Sequence, residues 1–214
     1  PFDKKFSLLS ADQFIKEYLL EKLKLKHIII GYDHRFGKGR EASVTDLKKY
    51  SSEFNFVLDE IDAQEIEKIA ISSTKIRNSI NEGDLKTTKI YLGRFFSLTG
   101  KVVKGDGLGK QIDYPTANIS IKEDYKIIPK DGVYYIKTTI DNNLYNGMMN
   151  IGHRPTIGTK EKSIEVNLFN FNTDIYDRVV SIDVVEKIRD EKKFASIEAL
   201  KTQLAKDQEH CLKL

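Results

Sequence analysis

The chain has 214 residues, of which 40% are hydrophobic and 31% charged, and its 35 basic and 32 acidic residues give a formal net charge of +3. This composition is typical of a globular protein with one large or two modest domains, and it argues against extended disorder. Charges of both signs are mixed along the chain, so no basic stripe favours nucleic-acid binding, and no apolar run is long enough to span a membrane. We therefore predict a cytoplasmic protein. The single Cys211 excludes an internal disulfide. Pro1 cannot be an initiator methionine, so the sequence is processed, is a fragment or is numbered from a later residue, and whether a segment lies upstream is left open.

Residues 1 to about 92 predict alternating helices and strands, the succession expected of a layered α/β domain. Ser10 and Gln13 have the spacing of a capping box, and apolar residues follow them at helical intervals. The other elements predicted in this half are a strand over 28–30, a helix over 44–54, a strand over 56–58, a helix capped by Ser73 and stopped by Gly83, and a helix from Asp84 to Gly93.

The rest of the chain changes to short alternating segments separated by turn residues, which predicts a small closed antiparallel sheet. Asp141-Asn142-Asn143 is a favourable hairpin turn between two of the strands. A last amphipathic helix over 196–212 is expected to cover the barrel with a side that carries Ile197, Leu200 and Leu204. The predicted strands run over 97–104, 132–140, 144–150, 164–171 and 179–188.

A glycine-rich stretch in the second half indicates phosphoryl chemistry. Alternate glycines let backbone amides approach an anion closely, and a following lysine adds positive charge. A threonine and an asparagine a few residues on supply oxygen ligands of the kind that Mg²⁺ accepts beside nucleotide phosphates. The spacing does not match the P-loop pattern, and the alternative is a mobile hairpin or a bulged strand edge. The residues of this candidate site are Gly105, Gly107, Gly109, Lys110, Thr116 and Asn118.

Two further side chains are candidates for chemistry in the predicted barrel. Strict alternation over 164–168 places Glu165 and Asn167 on the face opposite the apolar residues, where Glu165 is a candidate general base. The alternative is a solvated glutamate on the outer face of the barrel. Arg189 either pairs with Asp190 or Glu191 at the surface or faces a ligand, and the sequence leaves that choice open.

The first half carries a candidate anion site. Ser72, Ser73, Thr74 and Arg77 combine hydroxyls at a predicted helix start with a cation, and the loop over 31–40 follows a buried strand, where α/β proteins bind ligands. The alternative for the hydroxyls is simple helix capping by Ser73. Two other reactive residue types carry no functional prediction: His153 is interpreted as a turn residue and Cys211 as a residue of the last helix.

The motifs, taken in order, resemble the prokaryotic bifunctional riboflavin kinase/FMN adenylyltransferase family (FAD synthetase) through nearly the whole chain. The resemblance implies a partial, Rossmann-like nucleotidylyltransferase α/β domain over 1–94, followed by a Greek-key riboflavin kinase barrel with a C-terminal helix over 95–214. The segments that carry it are 31–40, 71–77, 92–94, 105–110, 115–118, 150–156, 164–168 and 188–194.

The resemblance also implies roles for the candidate residues. Thr116 and Asn118 match the residues that hold Mg²⁺ and ATP, Glu165 matches the catalytic base, and Arg189 lies in the segment that closes near the flavin. The stretch 105–110 matches a loop over the nucleotide phosphates, and the serines, threonine and arginine of 72–77 match the triphosphate motif of the adenylyltransferase. The implied substrates are riboflavin and ATP, with FMN as the kinase product and FAD as the product of the paired activity.

Some features depart from the family pattern. No H-x-G-H motif occurs in the sequence, so if these 214 residues are the whole molecule we expect little or no FAD synthesis from it. Asp113 stands where glycine is usual and places a negative charge beside the predicted phosphate site, which is expected to weaken nucleotide binding. Asn167 stands where histidine is frequent.

The competing hypotheses are a flavin- or nucleotide-binding module without turnover and an oligonucleotide-binding barrel. The oligomeric state is left open.

Overall fold

The computed structural model describes residues 2–62, 65–66, 69–105, 109, 112–153 and 162–214. The chain divides into two compact units, Pro1–Ile71 and Ser72–Leu214, which we call the N-terminal unit and the barrel unit. The domain boundary between residues 94 and 95 stays a prediction. Over the part of the chain that is described, no helix is long and apolar enough to cross a membrane.

Two parallel strands form the centre of the N-terminal unit. Strand β1 (His27–Gly31) pairs with β2 (Val57–Ile61), which starts one residue later than the predicted run. A parallel pair needs a crossover connection, and helix α2 (Val44–Phe54) lies in that connection as predicted. A short antiparallel pair, β3 (Glu65–Ile66) and β4 (Ile69–Ala70), follows.

The first helix, α1, starts as the α-helical turn Ala11–Gln13 and continues as the wider π-type helix Phe14–Lys22. Its predicted capping box is confirmed, because Ser10 Oγ accepts the N–H of Gln13 at 3.2 Å and Gln13 Oε1 accepts the N–H of Ser10 at 3.0 Å. Single 3₁₀ turns lie at Phe6–Leu8 and Lys38–Arg40. The core of this unit includes Ile15, Leu19, Ile30, Phe36, Leu47 and Phe56.

Six antiparallel strands close into the predicted barrel. Around the barrel they follow the order β10-β5-β6-β9-β8-β7. Strand β6 pairs with β9 instead of with β7, its successor along the chain, which is Greek-key connectivity. The strands are β5 (Phe96–Val103), β6 (Ala117–Ser120), β7 (Gly132–Ile140), β8 (Asn143–His153), β9 (Lys162–Leu168) and β10 (Val179–Arg189).

Alternation along the strands separates a filled interior from an outer face. Ile164 and Val166 lie in the interior cluster, so Glu165 between them points outward, as the period-two pattern predicts. The hairpin turn between β7 and β8 is confirmed, with Asp141 and Asn142 in the left-handed region at φ 51° and 64°. The interior cluster includes Leu98, Val102, Ile119, Tyr134, Ile136, Met149, Ile151 and Ile182.

Two strand predictions need correction. Strand β9 ends at Leu168 instead of running to residue 171, because Asn170 turns the chain with φ 54°. Strand β6 has no counterpart among the predicted strands. Its four residues are too few to establish an alternating pattern, so the sequence identified them only through their candidate metal ligands.

Helices α3 (Ser73–Glu82) and α4 (Leu85–Leu92) belong to the barrel unit. The prediction that Ser73 caps α3 is wrong by one residue: Ser72 Oγ accepts the N–H of Lys75 at 3.3 Å. The predicted stop at Gly83 is confirmed by its left-handed φ of 79°. Leu85, at the start of α4, is 3% exposed and lies in the interior cluster of the barrel.

The last helix, α5 (Ile197–Leu212), is capped by Ser196 and lies over the outer face of β8 and β10. The predicted buried side is partly wrong, because Ile197 is 53% exposed. The side that faces the barrel instead continues from Leu204 to the buried Asp207 and Cys211. Cys211 packs there with residues of the barrel's outer face, which makes α5 an integral part of the unit.

Candidate active site

Polar residues of neighbouring strands form a row across the outer face of the barrel. Asn118 of β6 pairs in register with Glu165 of β9, and Glu165 pairs with Asn150 of β8. The row continues from Asn150 to Val133 of β7 and from Val133 to Arg189 of β10. Directly opposed residues lie on the same face of a sheet, so residues distant in sequence are collected along one edge of the barrel.

Glu165 is half-buried on this outer face, so it is not the fully solvated glutamate of the alternative interpretation. A cavity of about 270 Å³ opens beside it, between the barrel, helix α5 and the segment that precedes α5. We call this the helix-side cavity. Its lining includes Thr116, Met148, Asn150, Glu165, Asn167, Arg189, Glu191, Lys192, Phe194, Leu200 and Leu204.

A second cavity, of about 290 Å³, lies on the other side of Thr116. We call it the loop-side cavity, because the loop after β9 provides much of its wall. Thr116 lines both cavities, whereas Glu165 lines only the helix-side one. Two ligand-sized spaces therefore share Thr116 as a lining residue. The loop-side lining includes Val102, Pro115, Ala117, Val166, Leu168, Phe171, Asp174, Ile175 and Tyr176.

The glycines of the predicted phosphate loop are in close contact with the candidate metal residues. A Cβ atom on Gly105 would overlap the side-chain amide of Asn118, and one on Gly109 would overlap the carbonyl of Tyr114 and lie 3.2 Å from Thr116 Oγ1. Their lack of a side chain lets this loop approach Thr116 and Asn118. The predicted Gly107 and Lys110 lie outside the described residues.

Hydrogen bonds and ion pairs hold the backbone just before Thr116. Asn167 Nδ2, on the same outer face as Glu165, donates to the carbonyl of Pro115 at 2.7 Å. Asp113 adopts a left-handed φ of 64°, the conformation that explains why glycine is suited to this position. Its carboxylate, 83% exposed, pairs with Lys201 of α5 at 2.8 Å, so a cation compensates the charge that the sequence placed near the phosphate site.

Arg189 is held by a residue that the sequence did not suggest. Of the two alternatives that the sequence left open, the ion pair with Asp190 or Glu191 is not found among the described residues; the guanidinium pairs with the buried Asp207 of α5, with Nη2 2.8 Å from Oδ2. Asp190 provides only its backbone carbonyl, 3.1 Å from Nη1, and its carboxylate pairs with Lys187. The Arg189 side chain is 17% exposed and lines the helix-side cavity.

The candidate anion site of the first half lies at the start of helix α3. Ser72 caps this helix, while Ser73, Thr74 and Arg77 are exposed around its first turn. The structure therefore confirms a helix N-terminus with hydroxyls and a cation, which is an arrangement suited to anions. The alternative of capping by Ser73 needs correction by one residue, because the capping hydroxyl is that of Ser72.

Two reactive side chains have structural partners. His153 Nδ1 lies 2.9 Å from a carboxylate oxygen of Asp131, at the end of β8. Burial raises the pKa of the Cys211 thiol to about 12, with a contribution from the nearby Asp207. Among the described residues, no group of three or more His, Cys, Asp or Glu side chains is arranged to hold a metal ion.

The sequence missed two residues behind the walls of the helix-side cavity, Gln203 and Asp207. It included Asn150 in the segment 150–156 without a role, and strand register places Asn150 beside Glu165. The sequence does contain a weak indication that Asp207 has a special role. A carboxylate three residues after Leu204 falls on the apolar side of an amphipathic helix, where a charge requires a partner.

Comparison with known families agrees with this geometry. The profile of the riboflavin kinase family matches residues 92–214, and that of the FAD synthetase family matches residues 1–75. The bifunctional riboflavin kinase/FMN adenylyltransferase of Buchnera aphidicola subsp. Schizaphis graminum is 40% identical over 97% of this chain and 67% of its own length. The Escherichia coli K12 protein of the same name is 35% identical over 97% of this chain and 66% of its own. The chain thus spans about two thirds of the length of these relatives.

A crystal structure from Streptococcus pneumoniae, described as that of a macrolide-efflux protein, has a TM-score of 0.87 and 35% identity, covering 100% of this chain and 68% of that one. The description 'macrolide-efflux protein' applies to the Streptococcus pneumoniae protein alone, and the similarity to this chain is one of fold.

The barrel, its outer-face site and the kinase profile define an enzyme of the riboflavin kinase class. The chain belongs to the bifunctional riboflavin kinase/FMN adenylyltransferase family, and its kinase region is matched more fully than its adenylyltransferase region. The fold class and the enzyme class predicted from the sequence are confirmed.

Proposed function

We propose that the barrel unit transfers the γ-phosphate of ATP to the ribityl 5′-hydroxyl of riboflavin, giving FMN and ADP. The observation that carries this proposal is the position of Glu165, half-buried in one of two cavities that meet at Thr116. A phosphoryl transfer needs an acceptor and a donor side by side, with a proton acceptor on the acceptor's side only.

A difference between the two cavities supports our assignment of the substrates. The helix-side cavity contains Glu165 and Arg189 and is bounded by Phe194, Leu200 and Leu204, which suits an aromatic acceptor with a hydroxylated chain. Among the described residues of the loop-side lining the single carboxylate is Asp174, which is exposed and accepts the N–H of Tyr176 at 2.9 Å. Thr116 joins this cavity to the helix-side cavity, whose lining includes Gly109 of the glycine-rich stretch. We place riboflavin in the first cavity and ATP in the second, with the γ-phosphate near Thr116.

In the chemical step Glu165 accepts the proton of the 5′-hydroxyl as its oxygen attacks the γ-phosphorus. The new O–P bond forms while the bond from the γ-phosphorus to the β,γ-bridging oxygen breaks, and ADP leaves with the bonding electrons. The outward alternation of β9 fixes the carboxylate beside the cavity, so orientation is supplied by the barrel itself.

Thr116 and Asn118 fit a magnesium ion that arrives with the nucleotide. They offer a hydroxyl and an amide oxygen, and Gly105 has no side chain that would collide with the Asn118 amide. Two neutral protein oxygens are appropriate for Mg²⁺, which usually keeps several waters and is held mainly by substrate phosphates. The ion, when bound, neutralises phosphate charge during transfer. Gly105, Gly107, Gly109 and Lys110 are proposed to contact the phosphates, and Lys110 would add positive charge.

The curated relatives are also named for FMN adenylyltransferase activity. We propose Ser72, Ser73, Thr74 and Arg77 as the triphosphate motif of that second reaction, supported by their position at the start of helix α3. Because the sequence has no H-x-G-H motif, we expect this chain to form FMN without appreciable FAD. The cytoplasmic location also stays a prediction.

The proposal is tested by incubating the chain with riboflavin, ATP and Mg²⁺ and separating FMN from FAD by chromatography. Glu165→Gln should lower kcat about 10²-fold or more, the size expected for loss of a general base, while riboflavin affinity measured by flavin fluorescence changes little. Glu186→Gln is the matched control, because Glu186 is a partly buried glutamate of the barrel that pairs with Lys86 and lines neither cavity. Unchanged turnover in Glu165→Gln would refute the assigned role, and binding without any turnover in the unaltered chain would favour the non-catalytic alternative.

A further inference from the structure

Asp207 of helix α5 is a charged group in an apolar setting. It is 2% exposed, and it is the single carboxylate among the buried polar side chains of the described residues. On the same side of the helix, Cys211 is buried against the barrel. Burial of a charge is strongly unfavourable unless hydrogen bonds and an opposite charge compensate it, so the partners of Asp207 explain its position.

Both carboxylate oxygens of Asp207 have partners. Oδ2 accepts from Arg189, with Nε at 2.9 Å and Nη2 at 2.8 Å, and Oδ1 accepts from Nε2 of Gln203 at 2.7 Å. Arg189 and Gln203 thereby use the two oxygens separately. The guanidinium is fixed through two of its nitrogens, which restricts its rotation more than a single contact would.

The same network reaches a second cation. Oε1 of Gln203 accepts from Nζ of Lys192 at 2.6 Å, so Gln203 connects Lys192 to Asp207. The ring of Phe194 lies near both cations, with its centroid 5.7 Å from the Arg189 guanidinium carbon and 5.2 Å from Lys192 Nζ. Lys192, Arg189 and Phe194 all line the helix-side cavity, whereas Gln203 and Asp207 are absent from its lining.

The network therefore stands behind one wall of the cavity that contains Glu165. Arg189 and Glu165 belong to the same register row, separated by β7 and β8. Asp207 approaches Arg189 from helix α5. A residue in this place acts on the ligand through the cations that it orients.

We propose that Asp207, assisted by Gln203, is a positioning residue for the acceptor substrate: it holds Arg189 and Lys192 in the orientation that binds riboflavin. The inference rests on the proposed function, because it uses the assignment of the helix-side cavity to riboflavin. Asp207 contributes to acceptor affinity and makes no contact with ATP or with the transferred phosphoryl group.

The primary test is Asp207→Asn, which keeps the size of the side chain and removes its charge. Its KM for riboflavin should rise about ten-fold or more, the scale on which a displaced binding group affects an active site, while kcat and the KM for ATP change less than about three-fold. The matched control is Glu209→Gln on the same helix, which removes an exposed ion pair with Lys213 and should leave all three constants unchanged.

A double-mutant cycle separates an indirect role from a direct one. If Asp207 acts through Arg189, adding Asp207→Asn to Arg189→Gln should change riboflavin KM by less than about two-fold beyond the effect of Arg189→Gln alone. The double variant also covers the case in which Asp207→Asn fails to fold, because it leaves no uncompensated guanidinium in the structure. Additive effects, or a wild-type riboflavin KM in Asp207→Asn, would overturn the proposal.

Direct binding distinguishes failure of this inference from failure of the proposed function. Riboflavin fluorescence titrations need no turnover and should show the same loss of affinity in Asp207→Asn. If the unaltered chain binds riboflavin but does not phosphorylate it, the proposed function fails while the positioning role is still measured. If the unaltered chain does not bind riboflavin, both the cavity assignment and the inference are refuted.

Discussion

Leu85→Ala tests whether helix α4 is part of the folded barrel. Leu85 is 3% exposed and lies in the interior cluster with residues of the barrel strands, although the kinase profile begins only at residue 92. Helix α4 lies against β5 and β10, and a buried hydrogen bond of 2.8 Å between Ser79 and Thr88 joins it to α3. The side chain of Leu85 thus fills space that belongs to the barrel core.

The size of the effect follows from how well the space can close. The strands around Leu85 are fixed in a closed, hydrogen-bonded barrel, so they cannot collapse into the cavity that alanine leaves. A buried Leu→Ala change costs about 2–5 kcal/mol, and a site that cannot collapse belongs in the upper part of that range, at about 4 kcal/mol. For a protein of this size, that loss lowers Tm by about 8–16 °C.

Calorimetry of the complete chain is the appropriate assay, with kinase activity followed over the same temperature range to identify the transition of the barrel unit. Ile90→Ala is the matched control, because Ile90 lies on the same helix and is 54% exposed. Its transition should move by less than about 2 °C, as expected for an exposed position. Equal shifts in the two variants would show that Leu85 does not support the barrel, and would favour a domain boundary after α4.

Two further predictions concern the loop and the last helix. Gly105→Ala should raise the KM for ATP about ten-fold or more, because the added carbon would displace Asn118. Gly31→Ala is the control and should leave this KM unchanged, since its added carbon would lie 3.5 Å from the nearest atom, Asp33 Oδ1. Equal KM values for ATP in the two variants, measured by steady-state kinetics, would contradict the prediction. Cys211, with its raised pKa, should resist alkylation at pH 8 until the protein unfolds, as mass spectrometry can show. As pH rises above 9.0, the thiol loses its proton in the unfolded chain before it does so in the folded one. The free energy of unfolding should therefore fall more steeply between pH 9 and 11 in the unaltered chain than in Cys211→Ala. If the free energies of unfolding of the two proteins change equally with pH, the raised pKa is refuted.

Local patterns predicted much of the fold. The capping box of α1, the left-handed stop at Gly83 and the two-residue turn at Asp141-Asn142 each depend on residues close in sequence, and all three are confirmed. The outward direction of Glu165 follows from period-two alternation alone. These features are readable because their physical causes act over a few residues.

Long-range contacts account for what the sequence could not supply. Arg189 and Asp207 are separated by 18 positions and meet only because α5 lies across the end of β10. The sequence offered the neighbouring acids Asp190 and Glu191, but the Asp190 carboxylate pairs with Lys187, and Glu191 lines the helix-side cavity with Arg189. Strand β6 was missed for a related reason, since its pairing with β5 and β9 defines it better than its own four residues do.

The glycine-rich loop connects the two kinds of information. Its glycines were first interpreted as space for phosphate, yet at Gly105 and Gly109 the space is taken up by Asn118 and by the Tyr114–Thr116 backbone. The absence of a side chain at these two glycines therefore allows the loop to lie against the protein's own oxygen ligands, Thr116 and Asn118. A side chain at Gly105 would disturb ATP binding even without touching the nucleotide, because it would move the asparagine proposed to hold Mg²⁺. The requirement for glycine at this position follows from where Asn118 must be, which is a stricter condition than flexibility of the loop.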